Sequence, residues 1–396
     1  MSDMRYPEKQ ARITGIGQSK VGRPSDRSAI QLTMDACLQA LADAGLKPSD
    51  IDGIATYPGK STEGGGIAPV GPTEVMLTLG APSIVNMSST HEGPGHLGAV
   101  LNAVMAVATG VCRHVLVYRT VAQATARLVS RSATLLTGSH SRVDGFNALT
   151  VPFNAISPVN LWALHAQAYF TKYGATSEQL GAVAVNGRKM AALNPNAIYK
   201  KPITIDDYMA SREISSPLRL FDCDAHVDGA TAFIISHKDA AADLRNPPIH
   251  IEALGVSQGG VGEGHFPGDF TSIPATKAGD MMWAHTDLTP KDVDCAQIYD
   301  GFSILTLLWL EATRLCGVGE AAAFVEGGTR IGLGGDLPMN TSGGQLSAGR
   351  LHGYGHSYEA CLQLWGRGGE RQVRDARTCV IANGGYGYGA MLLRRD

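Results

Sequence analysis

The chain has 396 residues, 44% of them hydrophobic and only 17% charged, with a net charge of −3. Globular proteins carry about 25% charged residues, so this composition implies a large buried fraction and a subunit interface. The near-neutral balance supplies no basic field for nucleic acid. The N-terminal stretch MSDMRYPEKQ lacks the apolar core of a signal peptide, and seven cysteines without CxxC spacing suit a reducing compartment. These features predict a soluble, cytoplasmic α/β protein.

In chain order, the first strong helix is AIQLTMDACLQALADAG, with Ile30, Met34, Cys37, Leu38 and Leu41 at helical spacing and Gly45 as its stop. IDGIATY reads as a strand, and IVNMSS as a buried strand. The helix PGHLGAVLNAVMAVATG follows, with Pro94 near its first turn, and then the strand HVLVYRT. Gly93 to Cys112 is the longest charge-free apolar stretch, but Pro94, His96, Asn102 and four glycines make it a core helix rather than a membrane span.

The second half repeats this order. IHIEALGVS is a strand, ATKAGDMMWAHTD a helix, and CAQIYDG a strand running into the helix SILTLLWLEATRLC. SYEACLQLWG is a further helix and TCVIANGG the closing strand. The repeat is explicit: LKPSDIDGIATYPG from Leu46 matches LTPKDVDCAQIYDG from Leu288 at Leu, Pro, Asp, Asp, Tyr and Gly, at an offset of 242 residues. Such a duplication predicts two similar α/β halves in stacked layers. Residues 1–120 and 213–245 form the first half and 246–396 the second. Residues 121–212, less regular and richer in Ser, Asn and Pro, read as an inserted cap.

Three stretches carry a family likeness: HAQAYFTKYGATSEQLGAVAVNGRKMAALNPNA, SREISSPLRLFDCDAHVDGATAFIIS and NTSGGQLSAGR. They resemble the thiolase superfamily, closest to its lipid-transfer, sterol-carrier-protein-X branch. The likeness covers nearly the whole chain. It implies two βαβαβαββ halves in α-β-α-β-α layers with an inserted cap, and a homodimer.

Thiolases use a cysteine at the N-terminus of a buried helix, a histidine in a Gly-His-Pro motif, and a second cysteine before a glycine-rich turn. In VNMSSTHEGPGHLGA the nucleophile's place falls on Thr90, beside His91. A threonine hydroxyl needs a strong adjacent base to act as a nucleophile. In GRLHGYGH the histidine's place falls on Arg350, which cannot be a general base at neutral pH. In TCVIANGGYGYGA the second cysteine's place falls on Ile381, with Cys379 two residues early. All three parts of the condensing machinery are replaced.

Such losses match the steroid side-chain aldolases. These thiolase-like subunits work beside a small OB-fold and zinc-ribbon partner and cleave a β-hydroxyacyl-CoA to a ketone and a shorter acyl-CoA. Their catalytic tyrosines fall on Tyr299 and Tyr354. The resemblance thus implies retro-aldol cleavage of a steroid side-chain CoA thioester, giving propionyl-CoA or acetyl-CoA, in a heterotetramer. No cofactor beyond the substrate's own CoA, and no metal, is expected.

That chemistry needs a base near the hydroxyl and donors near the thioester oxygen, but no covalent nucleophile. An ordinary tyrosine, with a pKa near ~10, serves as donor, and serves as base only beside cations or donors that depress it. His352, His356 and Arg350 share the turn of Tyr354 and are candidates for that role. Thr90, His91, Asn340, Gly344, His352 and His356 are expected to line the substrate site. Asn340 with Gly344 matches the family's Asn-x-x-Gly-Gly turn and offers an oxyanion donor. His96 reads as a polar lining residue, Asp300 as the cap of the following helix, and Tyr57 as a structural counterpart of Tyr299. Two other readings stay open: an acyltransferase using Cys379 or an unconventional nucleophile, and a non-catalytic lipid or acyl-CoA carrier.

Overall fold

The two copies of the repeat fold alike in the computed structural model, which describes residues 5–61, 65–89, 95–129, 147–155, 157–259, 268–385 and 387–396. Each begins with a 3-10 turn, Pro48–Asp50 and Pro290–Asp292, and runs into a four-residue strand, Gly53–Thr56 and Cys295–Ile298. In each copy a proline opens the turn and the last Asp of the turn accepts the backbone N–H three residues back (Lys47 N, Thr289 N). The repeated Leu-x-Pro-x-Asp therefore encodes one local structure twice.

The described residues contain eleven strands: β1 (Ala11–Gln18), β2 (Gly53–Thr56), β3 (Asn86–Ser89), β4 (His114–Ala122), β5 (Glu213–Ser215), β6 (Leu218–Arg219), β7 (Asp228–His237), β8 (Ile249–Gln258), β9 (Cys295–Ile298), β10 (Thr378–Asn383) and β11 (Gly387–Arg394). β5 and β6 form a small separate hairpin. The other nine lie in the order β3-β2-β4-β7-β1-β8-β11-β10-β9. The order is a palindrome about its middle. β2, β4, β7 and β1 of the first half match β9, β10, β11 and β8 of the second, with the same parallel and antiparallel pairings. Within the sheet, the two halves meet at the β1–β8 pair, where Arg12 pairs with His250 and Ile13 with Ile249.

Strand alternation sorts the side chains into layers. On β7, Phe233 and Ile235 face a central core, whereas Ala232 and Ile234 face the outer helices Ala29–Ala44 and Pro72–Leu79. On β10, Cys379 and Ile381 face the same central core, and Val380 and Ala382 face the helices Ala275–Ala284 and Ser303–Ala312. Between the two faces lie the central helices His96–Ala108 and Tyr354–Leu364, which occupy corresponding places in the two halves. Helices Pro158–Tyr173 and Ser177–Ala192, from the segment read as a cap, share one core with the second half: Trp162, Leu180 and Val183 pack with Leu305, Leu308 and Trp309.

Two expectations change. The first helix, Ala29–Ala44, buries Leu32, Ala36, Cys37, Ala40, Leu41 and Ala44, while Leu38 is 50% exposed. The reason is close approach. A Cβ on Gly17 would run into the Ala36 carbonyl, and one on Gly15 into that of Ala40, so the strand lies directly against an alanine face. The helix stops where expected, at Gly45 in the left-handed region. The strand within IVNMSS is not buried. β3 is an edge strand paired only with β2, and its residues are alternately half-buried and exposed, with Met87 41% exposed.

Candidate active site

The N-termini of the two central helices meet, and the candidate site is built around that meeting point. His96, first residue of one helix, donates to or accepts from Ser357 Oγ of the other at 2.7 Å, and its ring lies 5.0 Å from that of Tyr354. The approach depends on Gly353, at φ 86°, where a Cβ would overlap the Asn383 amide at the end of β10. The aligned dipoles of two helices of 13 and 11 residues make this a region of positive potential.

Tyr354 opens the second central helix and is fully buried, stacked on Phe233 with centroids 5.7 Å apart. Burial pushes its phenol well above the ordinary tyrosine value. The Arg119 guanidinium and the Tyr57 backbone pull the other way. Tyr299 follows β9 directly, and its N–H donates to Ala382 O at 2.9 Å. Burial raises its phenol to about 12. The Asp224 carboxylate adds to that rise, while Arg350 and the Gln345 amide oppose it. Both phenols are therefore neutral near pH 7.

Asn340 explains why Tyr299 sits where it does. At φ 49°, its side chain accepts the Ile298 N–H at 2.7 Å and donates to the Ile298 carbonyl at 2.8 Å, as a neighbouring strand would. An amide committed in this way orients β9, so Asn340 acts on the site through Tyr299. Gly344, at φ 60°, permits the close approach of Asp300, whose carboxylate a Cβ there would meet. Asp300 does not cap the helix Ser303–Ala312, as the sequence suggests. It accepts the N–H groups of Gln345 (2.8 Å) and Leu346 (3.3 Å) on the turn Gly344–Ser347 instead. The chain turns at Gly301, and the carboxylate swings back across it.

The cation beside Tyr354 is Arg119, from β4, rather than Arg350. Its guanidinium is 1% exposed, donates to Tyr57 O at 2.9 Å and to His352 Nδ1, and pairs with no carboxylate among the described residues. Burial lowers its pKa to about 10, an effect the neighbouring tyrosines partly offset. His352, at φ 51°, accepts from Arg119 and is held neutral by burial and by the same cation. Arg350 faces elsewhere: it bonds Gln123 Oε1 (3.0 Å), Asp224 Oδ1 (3.2 Å) and His226 Nε2 (2.8 Å), next to Tyr299. Burial raises Asp224 to about 6 despite that partner. His356 Nε2 lies 3.1 Å from Asp300 Oδ1, and its ring stands edge-on to Tyr299 with centroids 6.4 Å apart.

The structure thus gathers Tyr299, Tyr354, His352, His356, Gly344 and Asn340 at one place, and adds Arg119, Asn383, Asp224 and Tyr57. Thr90 and His91 lie outside the described residues. Cys379 does not belong to the group. It faces the central core from the start of β10, opposite Cys295, four residues before Asn383 at the site end. Its thiol is fully buried and raised well above the ordinary value by burial and by Cys295. Such a thiol is inert, so the acyltransferase reading loses its nucleophile. A signal for Arg119 was present: it is the one charged residue within the apolar strand HVLVYRTVA.

Known proteins resemble this chain over nearly its whole length. Residues 265–392 match the thiolase C-terminal domain-like family. The chain is 37% identical to the 17-hydroxy-3-oxo-4-pregnene-20-carboxyl-CoA lyase of Mycobacterium tuberculosis, over 90% of this chain and 92% of that protein. It is 34% identical to the steroid side-chain-cleaving aldolase of Thermomonospora curvata, over 98% of each. Among solved structures, the Ltp2-ChsH2(DUF35) aldolase superposes with a TM-score of 0.87 at 34% identity, covering 98% of both chains.

Proposed function

Because the chain belongs to the thiolase superfamily, in the branch that includes the steroid side-chain-cleaving aldolases, we propose that it cleaves a steroid side-chain β-hydroxyacyl-CoA by retro-aldol reaction. The products are a ketone and propionyl-CoA or acetyl-CoA. One observation carries the reading: two neutral phenols and a buried guanidinium without a carboxylate converge at the paired N-termini of the central helices.

Cleavage of the α–β carbon bond leaves its electron pair on the thioester as an enolate. The Arg119 cation and the positive helix ends are the counter-charge such an oxyanion needs. Tyr299 and Tyr354 supply hydroxyl groups for the substrate's β-oxygen and the thioester oxygen. No covalent acyl-enzyme forms, and no cofactor takes part beyond the CoA of the substrate. His352 and Gly344 shape the wall.

The active form in this reading is a heterotetramer: a homodimer bound to two copies of a small OB-fold, zinc-ribbon subunit. The solved relative named as an Ltp2-ChsH2(DUF35) aldolase supports a partner. The open edge at β3, with Val85, Met87 and Leu77 exposed nearby, supports pairing with a second copy of the chain.

The test is co-expression with an OB-fold, zinc-ribbon subunit encoded beside it, followed by mass spectrometry on a tertiary steroid β-hydroxyacyl-CoA. Equal amounts of ketone and short acyl-CoA, without free CoA, are expected. Tyr299→Phe and Tyr354→Phe should each lower kcat by about 10²-fold or more. Acylated protein with free CoA, or full turnover by both variants, would overturn the reading.

A further inference from the structure

Retro-aldol cleavage is proton-neutral overall. The O–H bond of the β-hydroxyl breaks as its C=O forms, the α–β carbon pair passes to the enolate, and a C–H bond then forms at the α-carbon. Nothing is oxidised, and one proton must be held inside the site between the two events. A neutral phenol can take that proton only while giving up its own.

The geometry points to His356, which stands beside Asp300, as the group that holds this proton for Tyr299. The inference rests on the aldolase reading above. His356 is 2% and Asp300 1% exposed. Nε2 lies 3.1 Å from Asp300 Oδ1, and the carboxylate is fixed by two backbone N–H groups of the turn at Gly344. Neither Nδ1 nor Nε2 makes a hydrogen bond among the described residues, and the ring stands edge-on to Tyr299.

His356 and Gln345 also line a cavity of about 160 Å³, shared with Gln18, Asn196 and Glu359, which has room for several waters. The Gln345 amide on this wall is close enough to favour the Tyr299 phenolate. As the Tyr299 oxygen takes the hydroxyl proton, its own proton passes through a bridging water to Nδ1. The resulting imidazolium faces the Asp300 carboxylate. The same proton returns by the reverse route to the α-carbon, leaving His356 neutral and Tyr299 protonated.

The experiment uses the complex with its partner subunit. His356→Ala should lower kcat by about 10²-fold with KM changed less than about threefold. Added imidazole should restore turnover, and across similarly sized substituted imidazoles the restored rate should rise with the pKa of the rescuer. A merely structural role gives no such slope. His356→Gln fills the space without relaying a proton. If it folds with an unchanged Tm it should stay as slow as the alanine variant, which keeps the test available should the alanine variant fail to fold. Turnover by either variant within threefold of wild type, or a loss in folded His356→Ala that no imidazole restores, overturns the relay and leaves the aldolase reading intact. A wild-type complex that makes no ketone overturns both.

Discussion

Arg119 offers the sharpest test of the electrostatics. Burial lowers this guanidinium to about 10, a shift that corresponds to roughly 3 kcal/mol of destabilised cation. An enolate forming beside it can recover about that amount, or close to 10²-fold in rate. Arg119→Met keeps a side chain of similar reach and removes the charge. It also strips a donor from Tyr57 O and from His352 Nδ1, costing about 1 kcal/mol each. The relief of the buried cation offsets those losses, so stability should move by no more than about 1–2 kcal/mol while kcat falls by about 10²-fold. Steady-state cleavage assays and urea unfolding on the same preparations separate the two quantities. Turnover within threefold of wild type would show that the guanidinium is not the counter-charge of the enolate. A loss of several kcal/mol of stability would make Arg119 a structural residue.

Three further outcomes are expected. Cys379→Ala should keep wild-type turnover and show no change in acylation by intact-protein mass spectrometry, since the thiol lies in the core rather than at the site. Gly353→Ala should destabilise by more than about 3 kcal/mol and abolish turnover, because a Cβ there meets the Asn383 amide at φ 86°; a soluble variant with a wild-type Tm would contradict the helix-end geometry. For pH, His96 is held down to about 3 and His165 to about 4 by burial, and His352 is lowered in the same direction. Folded-state values below the unfolded value mean that the unfolded chain takes up protons first. The stability these groups provide is complete above pH 6.5 and is lost as pH falls through the window down to about 3–4, at up to about 1.4 kcal/mol per unit for each. Asp222 and Asp224, raised to about 6, oppose this between about pH 6 and 4. His114, His226 and His250 are lowered as well and Glu311 is raised. With six histidines against three carboxyl groups, urea midpoints should fall by a modest net amount from pH 7.5 to 5.5, and a rise would refute the buried-neutral assignment.

What the sequence determined by itself was local and periodic. The Leu-x-Pro-x-Asp repeat placed β2 and β9 242 residues apart, because turn chemistry and strand alternation are written in neighbouring residues. The motif likeness brought Tyr299 and Tyr354 together for the same reason: each sits at the end of a recognisable element. The assignment of partners to charges was not local. Arg350 lies four residues from Tyr354 in the chain yet faces Asp224 and Tyr299, while Arg119, 235 residues away, takes the place beside Tyr354. Asp300 passed over the helix that follows it to cap a turn more than forty residues downstream. Cys379, close to the family motif in sequence, fell into the core because a strand rises about 3.3 Å per residue and four residues separate it from the site end. Side-chain pairing across layers depends on which faces the packed sheets and helices bring within a few ångströms, and only the tertiary structure decides that.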